Sequence, residues 1–212
     1  MSDLELRKEL IAQCLAMNAS GLNQGTSGNL SARVDGGFLI TPSGVPYESL
    51  APDDLVQMDM DGSYDHERPP SSEWRFHRDI FAARPEVQAV VHAHPTFCTS
   101  LAICHREIPA IHYMIAVSGG NSIRCARYET YGTQALSDAA LEALEGRTAC
   151  LLGNHGMIAT GPTLAKAMWT AVEVEALARQ YVTVLQLGDP KILPDDEIDR
   201  VIEKFKNYGL KE

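Results

Sequence analysis

The chain has 212 residues, 45% of them apolar and 22% charged, ordinary values for one globular domain with a sizeable core. A formal net charge of −10 argues against a nucleic acid or an anionic membrane as partner; an anionic ligand would need positive potential made locally, by a metal ion or a helix N-terminus. No apolar run is long enough for a membrane span or a signal peptide, and five cysteines without C-x-x-C pairs read as free thiols of a reducing compartment. The expectation is a cytoplasmic protein with a single domain over residues 1–212.

Ser2 and Asp3 can cap a first helix, in which Leu6, Leu10, Ile11, Cys14, Leu15 and Met17 keep helical spacing until Gly21. A glycine-rich polar loop, Leu22–Asn29, leads into strand, tight turn and strand at Leu30–Val34, Asp35–Gly37 and Phe38–Thr41. Pro42-Ser43-Gly44 is a second small-residue loop, and Leu55–Met60 reads as a strand. Prolines 69 and 70 cannot lie inside a helix, so one starts near Ser71 or Ser72, with Glu73 in its first turn, and Pro85 closes it. Val90-Val91-His92-Ala93-His94 follows as a β-branched strand that Pro95 ends, before a short helix through Leu101.

Tyr113–Val117 reads as another strand and Ile123–Cys125 as a short extended piece. Thr133–Leu144 is an amphipathic helix, Ala149–Leu152 and Met157–Ala159 are strands about a turn, and two helices follow, from Thr163 to about Leu187 and from Asp195 to about Lys206. The tight turns imply hairpins. The expected fold is therefore α/β in three layers, a largely antiparallel central sheet with helices on both faces.

On a strand, His92 and His94 point to one face, and such a pair can seize a divalent metal if a third ligand arrives from elsewhere. His155 ends an apolar run and precedes a glycine, as at a strand end, which favours it over His66, His77, His105 and His112. Glu73 reads either as a first-turn carboxylate complementing the helix dipole or as a general base or departing fourth ligand. Three loops, Gly25–Asn29, Thr41–Gly44 and Ser71-Ser72, offer N–H and hydroxyl groups of the kind that bind phosphate. His77, one helical turn after Glu73, reads as a packing or hydrogen-bonding residue.

Taken together and in order, these segments resemble the class II aldolase/adducin family, and within it the zinc-dependent L-fuculose-1-phosphate aldolases. The matching pieces include Gly21–Asn29, Leu39–Gly44, Pro70–His77, Val90–His94, Ile108–Met114, Gly119–Ile123, His155-Gly156 and Glu203–Gly209, nearly end to end. The resemblance implies one Zn²⁺ per subunit held by His92, His94 and His155, with Glu73 beside it. It implies a substrate phosphate among Gly28, Asn29, Ser43, Gly44, Ser71 and Ser72. It also implies a homotetramer in which Tyr113 reaches the site from a neighbouring subunit and the segment around Tyr208 folds over it.

The implied reaction is reversible cleavage of a ketose 1-phosphate to dihydroxyacetone phosphate and an aldehyde. Zinc is the electron sink, Tyr113 takes the proton of the C4 hydroxyl, and Glu73 delivers one to C3. Tyr131 stands where close relatives carry phenylalanine, and with Tyr208 it is expected near the aldehyde. Fuculose, 5-deoxypentulose and 5-methylthioribulose phosphates share the phosphate half and differ in that tail, so the sugar stays open. Pentulose-phosphate 4-epimerases and a methylthioribulose-phosphate dehydratase are enzymatic alternatives; an adducin-head-like assembly module is the non-enzymatic one.

Overall fold

In the computed structural model, which describes residues 3–205, nine short strands and six α-helices interleave along the chain. Helix α1 (Asp3–Ala19) buries Leu10, Cys14 and Met17. Strands β1 (Asn29–Val34) and β2 (Gly37–Ile40) form the expected hairpin, with Gly36 at the turn in the left-handed region, φ +80°. Gly37 is glycine for a different reason: a Cβ there would lie 1.9 Å from the Met58 carbonyl oxygen of β3 (Val56–Asp59), the neighbouring strand. Next come α2 (Trp74–Ala83), β4 (Ala89–Ala93), α3 (Thr96–Ile103), β5 (Ile108–Pro109), β6 (Ser122–Ile123) and β7 (Cys125–Ala126). The chain continues through α4 (Gln134–Leu144), β8 (Ala149–Leu152), β9 (Gly156–Gly161), α5 (Leu164–Leu187) and α6 (Asp195–Phe205).

Seven strands share one sheet in the order β3-β2-β1-β4-β9-β8-β7, and β5 pairs only with β6. Every pairing in the large sheet is antiparallel except β7 with β8. The sheet is thus mostly antiparallel, with one parallel pair. Alternate side chains feed two separate apolar clusters, as the pleat requires. Leu30, Leu39, Val91 and Ala159 join Leu10 of α1, Leu101 of α3, Val174 of α5 and Ile198 of α6. Phe38, Ile40, Val90 and Ile158 join Phe76 and Ile80 of α2 and Leu136 and Ala140 of α4. Each fully buried Leu, Ile or Phe stabilises the fold by about 1.5–3 kcal/mol, so both clusters matter.

Three local expectations are corrected. Tyr113–Ser118 is a 3₁₀ helix, not a strand. Ile115 and Ala116 are both buried in one cluster, whereas adjacent residues of a strand would face opposite ways; His112 starts the turn by accepting from the Met114 N–H at 3.2 Å. The extended piece at Ile123–Cys125 is divided between β6 in the small sheet and β7 in the large one. Helix α2 begins at Trp74, so Glu73 is its N-cap residue (φ −100°, ψ 12°) and not part of the first turn. The Ser71-Ser72-Glu73 segment is a turn of its own, closed by Trp74 N–H donating to the Ser71 carbonyl at 3.1 Å.

Candidate active site and metal centre

β4 lies near the middle of the sheet, paired with β1 on one side and β9 on the other, and carries His92 fully buried. His94 follows one residue past its end, and His155 sits in the turn from β8 to β9. The three imidazole rings stand 4.8 Å apart, centroid to centroid, in each of the three pairings. His92 Nε2 is 3.0 Å from His94 Nε2 and 3.1 Å from Glu73 Oε2, and His155 Nε2 is 3.2 Å from Glu73 Oε1.

Proton placement decides what this cluster is for. The Met157 carbonyl, 2.9 Å from His92 Nδ1, can only accept, so Nδ1 carries the ring's proton and Nε2 brings a lone pair. That lone pair meets a carboxylate oxygen, and two acceptors 3.1 Å apart call for a cation between them. Glu73 Oε1 is buried without a hydrogen-bond partner, as an oxygen facing a cation would be. Three imidazoles and one carboxylate therefore fit a divalent ion of the borderline kind.

The electrostatics agree. Burial pushes His94 down to about 3 and His155 to about 4, with the nearby His92 ring adding to both, so both rings are neutral ligands at physiological pH. Burial alone would raise the Glu73 pKa. The His92 and His155 rings beside it, with a hydrogen bond from Asn29, outweigh that and hold the carboxyl well below the usual range.

Beside the cluster opens a cavity of about 460 Å³ lined by Thr26, Ser27, Ser43, Gly44 and Ser72 together with Tyr128, Glu129, Tyr131 and Asn154. The second and third small-residue loops are stitched together by backbone bonds: Ser43 N–H donates to the Pro69 carbonyl at 3.1 Å, Ser71 N–H to the Thr41 carbonyl at 2.9 Å, and Pro42 and Pro70 form a bridge. Thr41 Oγ1 in turn accepts from the Leu30 N–H at 3.3 Å. Among the described lining residues there is no lysine or arginine, so an anion held by them relies on N–H and hydroxyl donors and on the nearby candidate cation site.

The structure does not treat all the predicted residues alike. Ser43, Gly44 and Ser72 line the cavity, whereas Gly28, Asn29 and Ser71 are buried behind it. Gly28 passes so close to β4 that a Cβ would lie 2.7 Å from the His92 carbonyl oxygen. Asn29 spends its amide on Glu73 and His77, and Ser71 Oγ accepts from the Glu73 N–H at 3.3 Å. Tyr131 is on the cavity wall, 67% exposed. Tyr113 is not: within this chain it lies on the 3₁₀ helix, 49% exposed, against His112 and Phe205. Tyr208 lies outside the described residues.

Sequence reasoning missed several participants. Asn23 Oδ1 accepts from Ser27 Oγ at 3.1 Å and from the His94 N–H at 3.4 Å, tying the first loop to a metal-ligand candidate. Asn154 and His105 both have positive φ, 51° and 50°, and join through His105 Nε2 and Asn154 Oδ1 at 2.7 Å. The Asn154-His155-Gly156 sequence carries a faint signal, since asparagine before a strand tolerates the left-handed region. His105 carries none.

The fold and this centre define an α/β protein with a candidate metal site of three histidines beside a buried carboxylate. The family described as Class II Aldolase and Adducin N-terminal domain matches residues 8–182, and the chain belongs to it. It is 56% identical to a 5-methylthioribulose-1-phosphate/5-deoxyribulose-1-phosphate aldolase of Rhodospirillum rubrum, over 98% of this chain and 94% of that one. It is 51% identical to an L-fuculose phosphate aldolase of Escherichia coli, over 98% and 97%. A solved structure of an L-fuculose 1-phosphate aldolase superposes with a TM-score of 0.94 at 40% identity, covering 97% of this chain and 98% of that chain.

Proposed function

We infer that this protein is a metal-dependent aldolase that reversibly cleaves a ketose 1-phosphate to dihydroxyacetone phosphate and an aldehyde, with one Zn²⁺ per subunit. The observation that carries the reading is Glu73: a buried carboxylate with one oxygen hydrogen-bonded and the other free, set between three imidazole nitrogens and a cavity walled by small donor-rich loops. The names of the relatives support two tails for the sugar, a fuculose-type one and a 5-deoxy- or 5-methylthio-ribulose type.

His92, His94 and His155 would hold the ion, with Glu73 beside it. When bound, the ion supplies positive charge where electrons gather next to the substrate carbonyl. Ser43, Gly44 and Ser72, with the buried Gly28, Asn29 and Ser71 behind them, hold the phosphate and so fix the common half of the substrate. Glu73 Oε1 delivers a proton to C3 in cleavage and removes it in condensation. Tyr113 of the partner subunit takes the C4 hydroxyl proton, consistent with its absence from the cavity of its own chain. Tyr131 and Tyr208 border the tail. Among the described residues no lysine lines the cavity, so none of them offers an imine nucleophile there. We read the two apolar clusters as a three-layer, single-domain fold, and the protein as a cytoplasmic homotetramer with sites at subunit interfaces.

The test is triose phosphate release from fuculose, 5-deoxyribulose and 5-methylthioribulose 1-phosphates, with and without chelator. Chelator-sensitive release is expected, and the order of kcat/KM across tails names the preferred aldehyde. A metal-loaded protein that releases no triose phosphate from any of them would overturn the assignment.

A further inference from the structure

His77 is fully buried on α2, and the chemistry above does not use it. Its Nε2 lies 2.5 Å from Asn29 Oδ1 and its Nδ1 2.6 Å from Ser31 Oγ, while Asn29 Nδ2 donates to Glu73 Oε2 at 3.0 Å. Asn29 and Ser31 are two apart on β1 and share a face, so α2 sets one ring across both. The proton of each link can be assigned in turn. An ionised carboxylate only accepts, so Asn29 must turn its amide nitrogen to Glu73. Its Oδ1 is then an acceptor, and His77 must donate to it from Nε2. A neutral ring with that proton has a lone pair on Nδ1, which takes the hydroxyl proton of Ser31. Burial keeps the ring neutral, pushing its pKa down to about 3.

We propose that Ser31, His77 and Asn29 form a one-directional chain of hydrogen bonds that positions Glu73, pinning Oε2 and leaving Oε1 as the oxygen that handles the proton. The two ends of an asparagine amide are nearly equal in size, so shape alone cannot choose between them. The flipped amide would set Oδ1 against the carboxylate and push it from its place. His77 prevents the flip, because its Nε2–H can face only the oxygen end. Ser31 supplies a hydroxyl donor to the Nδ1 lone pair and so supports that tautomer. In the proton transfer all three are thus positioning residues, acting through Glu73; the proposal rests on reading Glu73 as the proton carrier.

Two measurements on the zinc-loaded protein test it. Imidazole ¹⁵N shifts report the tautomer of His77, and the expected form is Nε2–H, unchanged between about pH 6 and 8. Kinetics then compare two substitutions. In His77→Gln an amide nitrogen takes the place of Nε2; in His77→Asn it takes that of Nδ1. His77→Gln should keep kcat within about threefold, and His77→Asn should lose about tenfold or more in kcat with KM and zinc content little changed. Ser31→Ala, a mild substitution should His77→Asn not fold, belongs between wild type and that loss. An Nδ1–H ring, equal losses in the two His77 variants, or a loss confined to KM or zinc content would overturn the chain. Absence of triose phosphate release by the wild type would instead sink the aldolase reading, and the tautomer would still decide the relay.

Discussion

Glu73 supports two roles because its oxygens are not equivalent: Oε2 accepts from Asn29, and Oε1 has no hydrogen-bond partner. Replacing it by glutamine removes the proton carrier and leaves the imidazoles in place. Glu73→Gln is expected to retain zinc by elemental analysis and to lose at least about 100-fold in kcat, the lower end of what a positioned acid–base group supplies. His92→Ala removes the nitrogen at the centre of the cluster and should lose zinc and turnover together; full activity would exclude it as a ligand. At this scale the sequence was readable wherever spacing carries the message. An H-x-H on a strand announces itself, and a histidine at a strand end can be picked from seven. His77 lay one turn from Glu73, but no spacing says that Asn29 would come between them, because that contact joins residues 48 apart.

The helices differ in how openly their ends are coded. Thr133 and Thr163 cap α4 and α5 by accepting from Leu136 and Lys166 N–H, as their sequence positions suggest. α3 has no local cap, since Pro95 precedes it and offers none. Its first N–H groups are served from α5: the buried Glu175 carboxylate accepts from Phe97 at 3.0 Å and Cys98 at 2.9 Å. A glutamate inside the apolar stretch of α5 was the available hint, and its target was not legible. Because α3 starts directly after His94-Pro95, this cap also anchors a metal-ligand candidate. Glu175→Ala should cost about 2 kcal/mol, lowering the thermal midpoint, since it strips the N–H groups of charge-assisted bonds. Zinc affinity by chelator competition should fall as well; a fall in thermal midpoint at unchanged affinity would show that His94 is held independently. The same distance-blindness explains the 3₁₀ helix at Tyr113–Ser118, whose β-branched run reads as a strand until the α5 and α6 packing that buries Ile115 and Ala116 together is known.

For the whole molecule, three histidines hold protons more weakly when folded than the ordinary value of 6.5: His77 and His94 at about 3 and His155 at about 4. Lowering the pH therefore protonates the unfolded chain first. The metal-free protein should be at full stability above about pH 6.5 and lose it as pH falls toward 4 and 3, at up to about 1.4 kcal/mol per pH unit for the fully buried His77. Thermal midpoints of chelator-treated protein at pH 7.5 and 5 check this, and equal values would contradict it. The proposed completion of the site by a neighbouring subunit makes a second demand. Mixed and reassembled Glu73→Gln and Tyr113→Phe subunits, each inactive alone, should recover about a quarter of wild-type activity, because random pairing rebuilds that share of intact sites; no recovery would place both groups on one chain. The strand order has a consequence in time. β4 is flanked by β1, already synthesised, and by β9, which follows it by more than 60 residues in the register His92↔Ile158. A growing chain that has delivered α4 holds His92 and His94 but lacks both His155 and the Met157 carbonyl that orients His92. Capture of an ion by all three histidines thus waits for β9, and metal uptake during synthesis would be a clock that starts only when β9 closes the middle of the sheet.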